Sequence, residues 1–447
     1  MRVLWLCNIL LPAIAEELGL PYSNREGWLT GIYERICGGV KEGKRNADGK
    51  STDAEEAGME LGICFPVAET DSVIMERCHG KAGFWLEGTG TVCYAFQENL
   101  AAPEVYEDGL EECFRSILED FKPDMVHIFG TEFPHTLAMV RAFGRPERTL
   151  VGIQGLCFAC AEAYMADLPE YVIRRRTFRD WLKKDGILQQ QEKFRVRGER
   201  EKEALKGIGH ITGRTDFDRT ETGKINPDAN YHFMNETMRT PFYEGRWKPD
   251  RKNPYGIFLG QGDYPLKGFH YLLQAMPEVL KEYPEAYVMV AGNSIIGNRT
   301  LKDKIKISSY GKYLLELIDS LGLEGHVRVL GKLSAEEMKE AFLRSGMFVC
   351  PSSLENSPNS MGEAMLLGVP VVAARTGGIP SMIEDGVEGL LFRTGDVKGL
   401  AECMKQVWRE PKAAAKRAEN ARKRAFAVHD GNRNYERLLA IYREICQ

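Results

Sequence analysis

The stretch Cys350-Pro-Ser-Ser-Leu-Glu355-Asn-Ser-Pro-Asn-Ser-Met-Gly-Glu363-Ala-Met-Leu-Leu-Gly-Val-Pro370 reads as a strand end, a polar loop and a helix. Met347 to Cys350 is a short apolar run of strand length. Ser357 is placed to cap the helix, and Pro358 suits its first position because proline has no N–H to leave unsatisfied. Val369 to Ala373 follows as the next strand. Outward from this unit the alternation continues. Tyr255 to Leu259 is a strand, 268–282 a helix, Tyr287 to Ala291 a strand, and 308–321 a helix ended by Gly322. His326 to Leu330 is a strand, and Ser334-Ala-Glu-Glu337 opens a helix with a capping box. Strands and helices joined by short connections predict a doubly wound α/β sheet.

The first half follows the same rule. Arg2 to Cys7 reads as a strand, and 111–121 as a helix with Cys113, Phe114, Ile117, Leu118 and Phe121 on one face. Lys122-Pro123 ends it, and Asp124 to Gly130 follows as a buried strand. Residues 38–60 are polar and glycine-rich and predict a loop, while 240–254 predict the linker between halves. At 447 residues, two domains with real cores are expected. The expected division is 1–245, 246–425 and a C-terminal helix in 426–447 that crosses back to the first domain. No 20–50-residue repeat is visible.

Composition narrows the function. With 43% hydrophobic, 28% charged and 10% aromatic residues, neither disorder nor a fibrous array describes the chain. A net charge of −5 excludes a nucleic-acid polycation, so no nucleic-acid partner is expected. Eleven irregularly spaced cysteines argue against a disulfide framework, and Cys157-Phe-Ala-Cys160 lacks a second ligand pair at zinc spacing. The opening MRVLWLCNILLPAIA resembles a secretory signal at Ala13-Ile14-Ala15, but Asn8 and Pro12 interrupt its apolar run. A cytoplasmic protein without a transmembrane span is expected. Residues 172–206 carry twelve Lys or Arg against six acidic residues. This stretch reads either as solvated helices laced with i,i+4 pairs or as a surface for anionic substrates or membrane headgroups.

Several catalytic motifs are absent. There is no GxxxxGK[ST], no HExxH and no GxSxG. Gly260-Gln261-Gly262 follows a strand, but Pro265 stands where a dinucleotide fingerprint has its last glycine. In the Cys350–Pro370 unit, the amides of Asn359, Ser360 and Met361 face outward at a helix start beside the carboxyl end of a parallel strand. Helix starts there favour phosphate. Glu355 before the helix and Glu363 inside it are acceptors suited to sugar hydroxyls. A phosphate between two polyols is the layout of a nucleotide sugar.

These residues resemble the donor domain of the retaining GT-B glycosyltransferases of glycosyltransferase family 4 (group 1). The resemblance runs in order through Gly260 to Gly268, Leu321 to Gly331, Glu355 with Glu363, Gly368 to Pro380 and Glu384 to Phe392. It covers roughly residues 250–400. It implies an α/β GT-B fold, two Rossmann-like domains facing each other across a cleft. It also implies Glu363 on the ribose and Glu355 on the transferred sugar. Asn359 to Met361 would lie on the diphosphate, Lys267 would neutralise that leaving group, and the base would lie near Gly331 to Leu333. Gly260, Gln261 and Gly262 belong to the donor loop. The family has an arginine where Gln261 stands and one residue fewer before its lysine. Arg375 and Arg299 are candidates for the missing charge.

In the first half the resemblance is fainter. Gly27, in Glu26-Gly27-Trp28, corresponds to the glycine turn that approaches the donor phosphates. Asp124 to His135 is similar to the family's D-x-x-H-x-H segment, with Phe129 at its second histidine. The acceptor-side candidates are therefore Glu132 and His135, expected in the loop after the strand. His127 reads as a core histidine, and Arg214 and Asp216 lie in a further loop near the cleft. The resemblance implies a retaining transfer from a nucleotide-sugar donor to a glycan, lipid-linked or small-molecule acceptor in polysaccharide or glycoconjugate synthesis. No metal and no bound cofactor beyond the co-substrate are expected, since no Asp-x-Asp stands at a plausible donor loop. Peripheral contact of 172–206 with the inner membrane face is expected as well. Two other readings share the fold: a nucleotide-sugar 2-epimerase, and a nucleotide-sugar-binding protein without turnover.

Overall fold

Strands buried on both faces need helices on both sides, and the chain supplies them in alternation. The computed structural model describes residues 1–447 other than 19–28, 34, 37–58, 68–82, 87–89, 166, 250–253, 294 and 297–304. The loop reading of 38–60 falls almost wholly outside the described residues. The chain divides into two units: Met1–Phe158 with Arg195–Arg239 and His429–Gln447, and Ala159–Phe194 with Thr240–Val428. This division differs from the boundary at 245 in placing 159–194 and 240–245 with the second unit. Within 240–254, Trp247 explains part of that. Its amide donates to Leu367 O at 2.8 Å and its Nε1 to Ser345 O at 2.9 Å, so this segment is packed down.

The first unit holds β1 (Arg2–Leu6), β2 (Glu60–Val67), β3 (Phe84–Leu86), β4 (Thr91–Gln97), β5 (Met125–Phe129), β6 (Thr149–Gly152), β7 (His210–Gly213) and β8 (Asn230–Phe233). Their order is β3-β4-β2-β1-β5-β6-β7-β8, with β3 antiparallel to β4 and the other pairs parallel. β1 and β5 are neighbours although β2 to β4 intervene in sequence, so the strand order reverses between them. The helix Gly109–Phe121 buries Leu110, Phe114, Ile117 and Phe121, close to the face read from the sequence. It lies near enough that a Cβ on Gly62 of β2 would stand 2.9 Å from the Phe121 ring. The C-terminal helix Gly431–Cys446 belongs to this unit and buries Leu438, Ile441, Tyr442 and Ile445. Its cap is Asp430, whose side chain accepts from the amides of Asn432 and Arg433.

The second unit holds β9 (Gly256–Leu259), β10 (Tyr287–Ala291), β11 (Val327–Gly331), β12 (Met347–Cys350), β13 (Val371–Arg375) and β14 (Leu390–Arg393). These strands form an all-parallel sheet in the order β11-β10-β9-β12-β13-β14, the doubly wound dinucleotide order. β9, β10 and β12 are buried throughout, while the edge strand β11 is half exposed. The Arg328 guanidinium lies 3.8 Å from the Tyr287 ring centroid at that edge. The capping box at Ser334 forms as read, with reciprocal bonds to Glu337. Val371–Arg375 begins two residues later than expected. The Pro370 carbonyl accepts from the Phe348 amide, and the ladder with β12 starts at the following residue.

Candidate functional site

In the second unit, β9 and β12 are adjacent at the point where the strand order reverses. Ligands of open α/β sheets bind outside the carboxyl ends of strands at such a point. The chain leaves β9 through Gly260 to Tyr264 into the 3-10 turn Pro265–Lys267, and then the helix Phe269–Leu280. It leaves β12 through 351–358 into the helix Asn359–Leu367. The two loops touch. Ser353 N donates to Leu266 O at 2.8 Å, and a Cβ on Gly260 would lie 3.4 Å from the Ser360 Cβ. Gly268 has φ +68°, and a Cβ there would collide with the Pro351 carbonyl oxygen.

The pair that this geometry brings together is Lys267 with Glu355. Nζ of the lysine stands 2.7 Å from Glu355 Oε1, and the Ser352 hydroxyl donates to the same oxygen at 2.7 Å. Among the described residues no side chain hydrogen-bonds Glu355 Oε2. Both side chains are largely buried, at 20% and 11% exposed. Burial works against the charged lysine, but the Glu355 carboxylate outweighs it and holds the ammonium well above its ordinary range. The loop is fixed from behind. Gly378 N donates to Glu355 O at 3.0 Å, Thr376 Oγ1 donates to Ser353 O, and Gly377 leaves no room for a side chain against the Glu355 carbonyl. Burial, with Glu355 adding to it, pushes the neighbouring Cys350 thiol up to about 12, so it is not a nucleophile.

The helix start differs from its sequence reading by one residue. Pro358 is the cap residue, with ψ 114°, and no side chain caps the turn. Ser357 precedes a proline and therefore stays out of the helical region. Met361 N donates to Pro358 O at 3.0 Å, so its amide is taken up within the first turn. The amides of Asn359 and Ser360 precede that bond and are the ones that open the helix. Glu363 is buried on this helix at 3% exposure. Gln261 is exposed, Gly262 is buried against Phe269 and Val290, and Gly331 at φ +76° has open space where a Cβ would be. Leu333 is half-buried beside it. Arg375 is paired with Asp385 at 2.5 Å, and Arg299 lies outside the described residues.

The first unit carries a second polar cluster, at the carboxyl ends of β1, β4 and β5. Gly130 has φ +98°, and a Cβ there would meet the Glu132 carboxylate and Asn8 Nδ2. Asn8 Nδ2 lies 3.4 Å from Glu132 Oε2, and Arg197 Nε donates to the Glu132 carbonyl at 2.8 Å. Burial raises the Glu132 carboxyl above its ordinary range. His135 needs correction. It is the second residue of the helix Pro134–Phe143, not a loop residue, and it is fully buried. Its Nδ1 is 2.6 Å from Glu98 Oε2 and its Nε2 is 2.8 Å from Asn8 Oδ1, so it positions Asn8 and has no face for a ligand. Proline at the helix start explains the shift, since Pro134 begins the helix immediately after Phe133. Asn8, Glu98 and Arg197 were missed. Only Asn8 left a trace, as a polar residue directly after a buried strand. Gly27 lies outside the described residues.

Comparison with known proteins fits this geometry. Residues 241–424 match the family model Glycosyl transferases group 1. The group 1 segment contains Lys267, Glu355, Glu363 and the helix start at Asn359. Spore coat protein SA of Bacillus subtilis is 26% identical over 190 residues, 42% of this chain and 48% of that protein. The D-inositol 3-phosphate glycosyltransferase of Saccharomonospora viridis is 32% identical over 131 residues, 29% of this chain and 30% of that protein. The chain thus spans less than half the length of these curated relatives. Sucrose-phosphate synthase from Thermosynechococcus elongatus superposes with TM-score 0.65 at 13% identity, covering 100% of this chain and 99% of that one. Anabaena Alr3699/HepE in complex with UDP-glucose gives 0.64 at 15% identity, covering 99% of each chain. The fold is therefore the mixed α/β GT-B arrangement, with the group 1 segment in its second unit.

Proposed function

We propose that the chain is a retaining glycosyltransferase that moves a sugar from a nucleotide-sugar donor to a hydroxyl-bearing acceptor, in polysaccharide or glycoconjugate synthesis. The observation that carries this reading is the Lys267–Glu355 pair, held at the carboxyl ends of β9 and β12 inside the group 1 segment. On this reading Glu363 accepts from the ribose, and the opening amides of Asn359 and Ser360 take the diphosphate. Gly260, Gln261, Gly262, Gly331 and Leu333 complete the donor's surroundings. Lys267 stabilises the departing nucleoside diphosphate as charge develops on it. Glu355, held by Ser352 and Lys267, presents Oε2 to the transferred sugar. The leaving phosphate itself accepts the acceptor's proton on the face the donor leaves, which retains configuration without a carboxylate nucleophile. Glu132 supplies an acceptor-side carboxylate, and His135 positions it through Asn8.

Peripheral membrane contact through 172–206 is part of the proposal. Tyr171, Phe178, Trp181 and Leu182 are each more than half exposed, beside the exposed Arg174, Arg176, Lys183 and Lys184. Aromatic and basic side chains together suit an anionic lipid surface. A second reading, binding without turnover, is favoured by the exposed Gln261 at the family's arginine position.

The test is incubation with UDP-, GDP-, ADP- and dTDP-sugars, with and without polyol acceptors, following nucleoside diphosphate release and the anomeric configuration of the product. Acceptor-dependent release with retention supports the proposal. Isomerisation of the donor alone identifies a 2-epimerase, and binding without release the non-catalytic reading.

A further inference from the structure

In the first unit, a small pocket with room for about one water-sized group lies at the carboxyl ends of β5, β6 and β7, lined by His127, Gly152, Gln154, Thr212, Arg214 and Glu236 among others. A space of that size takes a single hydroxyl and no more of a ligand. His127 is fully buried in β5. Its Nε2 has no hydrogen-bond partner among the described residues, although it is inaccessible to bulk solvent. That atom faces Gly152, where a Cβ would stand 3.5 Å from Nε2 and 3.2 Å from Thr212 Oγ1. Leaving a buried ring nitrogen without a hydrogen-bond partner is unfavourable.

The other ring nitrogen determines what Nε2 offers. Trp5 Nε1 donates to the Tyr442 hydroxyl oxygen at 2.8 Å, and that hydroxyl lies 2.6 Å from His127 Nδ1. With its oxygen accepting from Trp5, the Tyr442 hydroxyl is placed to donate to His127 Nδ1. The ring therefore accepts at Nδ1 and carries its proton at Nε2. The ring is also neutral at physiological pH, since burial depresses its pKa to about 3. An N–H donor thus lies at the pocket wall, against Gly152 and beside Thr212. Opposite it lie the Thr212 hydroxyl and the Glu236 carboxylate. Glu236 is buried, takes Gln154 Nε2 at 2.9 Å and pairs with Arg214 at 2.9 Å.

We infer that this pocket is a subsite for one hydroxyl of a polyol or sugar, which accepts from His127 Nε2–H and donates toward Thr212 or Glu236. A hydroxyl can both accept from Nε2–H and donate to Thr212 or Glu236, whereas an anion has no proton to donate. The assignment rests on the transferase reading for its purpose, since such a hydroxyl would belong to the acceptor. His127 is then a specificity-determining residue whose tautomer the C-terminal helix sets through Tyr442.

The experiment uses the full chain labelled with isotopic histidine and long-range proton–nitrogen spectra of the imidazoles, titrated with glucose and with myo-inositol to tenths of a molar. The expected result is an Nε2–H tautomer at His127 whose signal moves with at least one polyol in the native chain but not in Gly152→Ala, whose methyl fills the pocket. Should that variant fail to fold, Thr212→Val provides the same comparison. A proton on Nδ1, no response to either polyol, or an equal response in the folded pocket variant overturns the subsite. Binding of UDP, GDP, ADP and dTDP is followed in parallel. Nucleotide binding without a polyol response removes the subsite and leaves the transferase reading standing. A polyol response without nucleotide binding supports the subsite and removes that reading.

Discussion

Lys267 Nζ and Ser352 Oγ both contact the same oxygen of Glu355, each at 2.7 Å, although Lys267 is 88 residues away in sequence. One carboxylate is thereby held by a cation on one side and a hydroxyl on the other. Removing either charge alone leaves its partner part-buried and unpaired. Lys267→Ala and Glu355→Gln should each lower stability, by no more than the about 3–5 kcal/mol seen for fully buried pairs. Lys267→Met with Glu355→Leu should recover much of that loss. Sugar transfer should stay low in all three, down about 100- to 1,000-fold where the leaving-group charge is lost. Denaturant titration and turnover of the same samples check both halves.

Glu201 gives a pH dependence of definite sign. Its carboxyl accepts from Phe158 N at 3.1 Å and contacts Thr131 Oγ1, and burial pushes its pKa up to about 8 from 4.5. Folded Glu201 holds its proton where the unfolded chain has lost it. Its contribution is therefore complete below pH 4.5 and falls by about 1.4 kcal/mol per pH unit as pH rises toward 8. Glu201→Gln should flatten this slope, since an amide can donate to Thr131 while Thr131 donates to Gly155 O at 3.2 Å. Unfolding midpoints from pH 5 to 8 measure it.

His429 acts in the opposite direction. Burial lowers its pKa to about 4, and its Nδ1 lies 2.7 Å from Glu236 O. The unfolded chain takes up a proton below 6.5 that the folded chain refuses. Stability from this residue is present above pH 6.5 and is lost as pH falls toward 4. His429→Asn, which can keep the donor to Glu236, should reduce acid sensitivity of the first unit. Hydrogen-exchange protection of β5 and β6 at pH 5 and 7 reports it.

The exposed aromatic and basic patch makes a separate prediction. Binding to vesicles containing phosphatidylserine should exceed binding to neutral phosphatidylcholine vesicles and should weaken as salt rises. Trp181→Ser with Leu182→Ser should abolish it without changing nucleotide affinity. Equal binding to both vesicle types would remove the membrane proposal.

What could be read without coordinates was the local part. The Ser334–Glu337 capping box, the helix over Gly109–Phe121 and the alternation of β9 to β14 depend on residues a few positions apart. Glu355, Glu363 and the helix start at Asn359 are legible for the same reason, since a strand, a loop and a helix start are contiguous, whereas Lys267, 88 residues from Glu355, is implied by the family resemblance. The error at His135 has a different origin. Its partners, Glu98 and Asn8, lie 37 and 127 residues away and meet it only through the order β4-β2-β1-β5. In the sequence, His127 reads as a core histidine. Burial was correct, but one ring nitrogen is satisfied by Tyr442 near the chain end and the other is not.

Thermal stabilisation by UDP, GDP, ADP and dTDP, in the native chain and in Glu363→Gln, tests the donor site most directly. One diphosphate should raise the unfolding temperature well above the others. The Glu363 variant, deprived of a charged acceptor worth about 1.5–3 kcal/mol, should bind that nucleotide roughly 10- to 100-fold more weakly. No response to any of the four, or an unchanged response in the folded variant, would contradict the placement of a nucleotide at the turn that opens at Asn359.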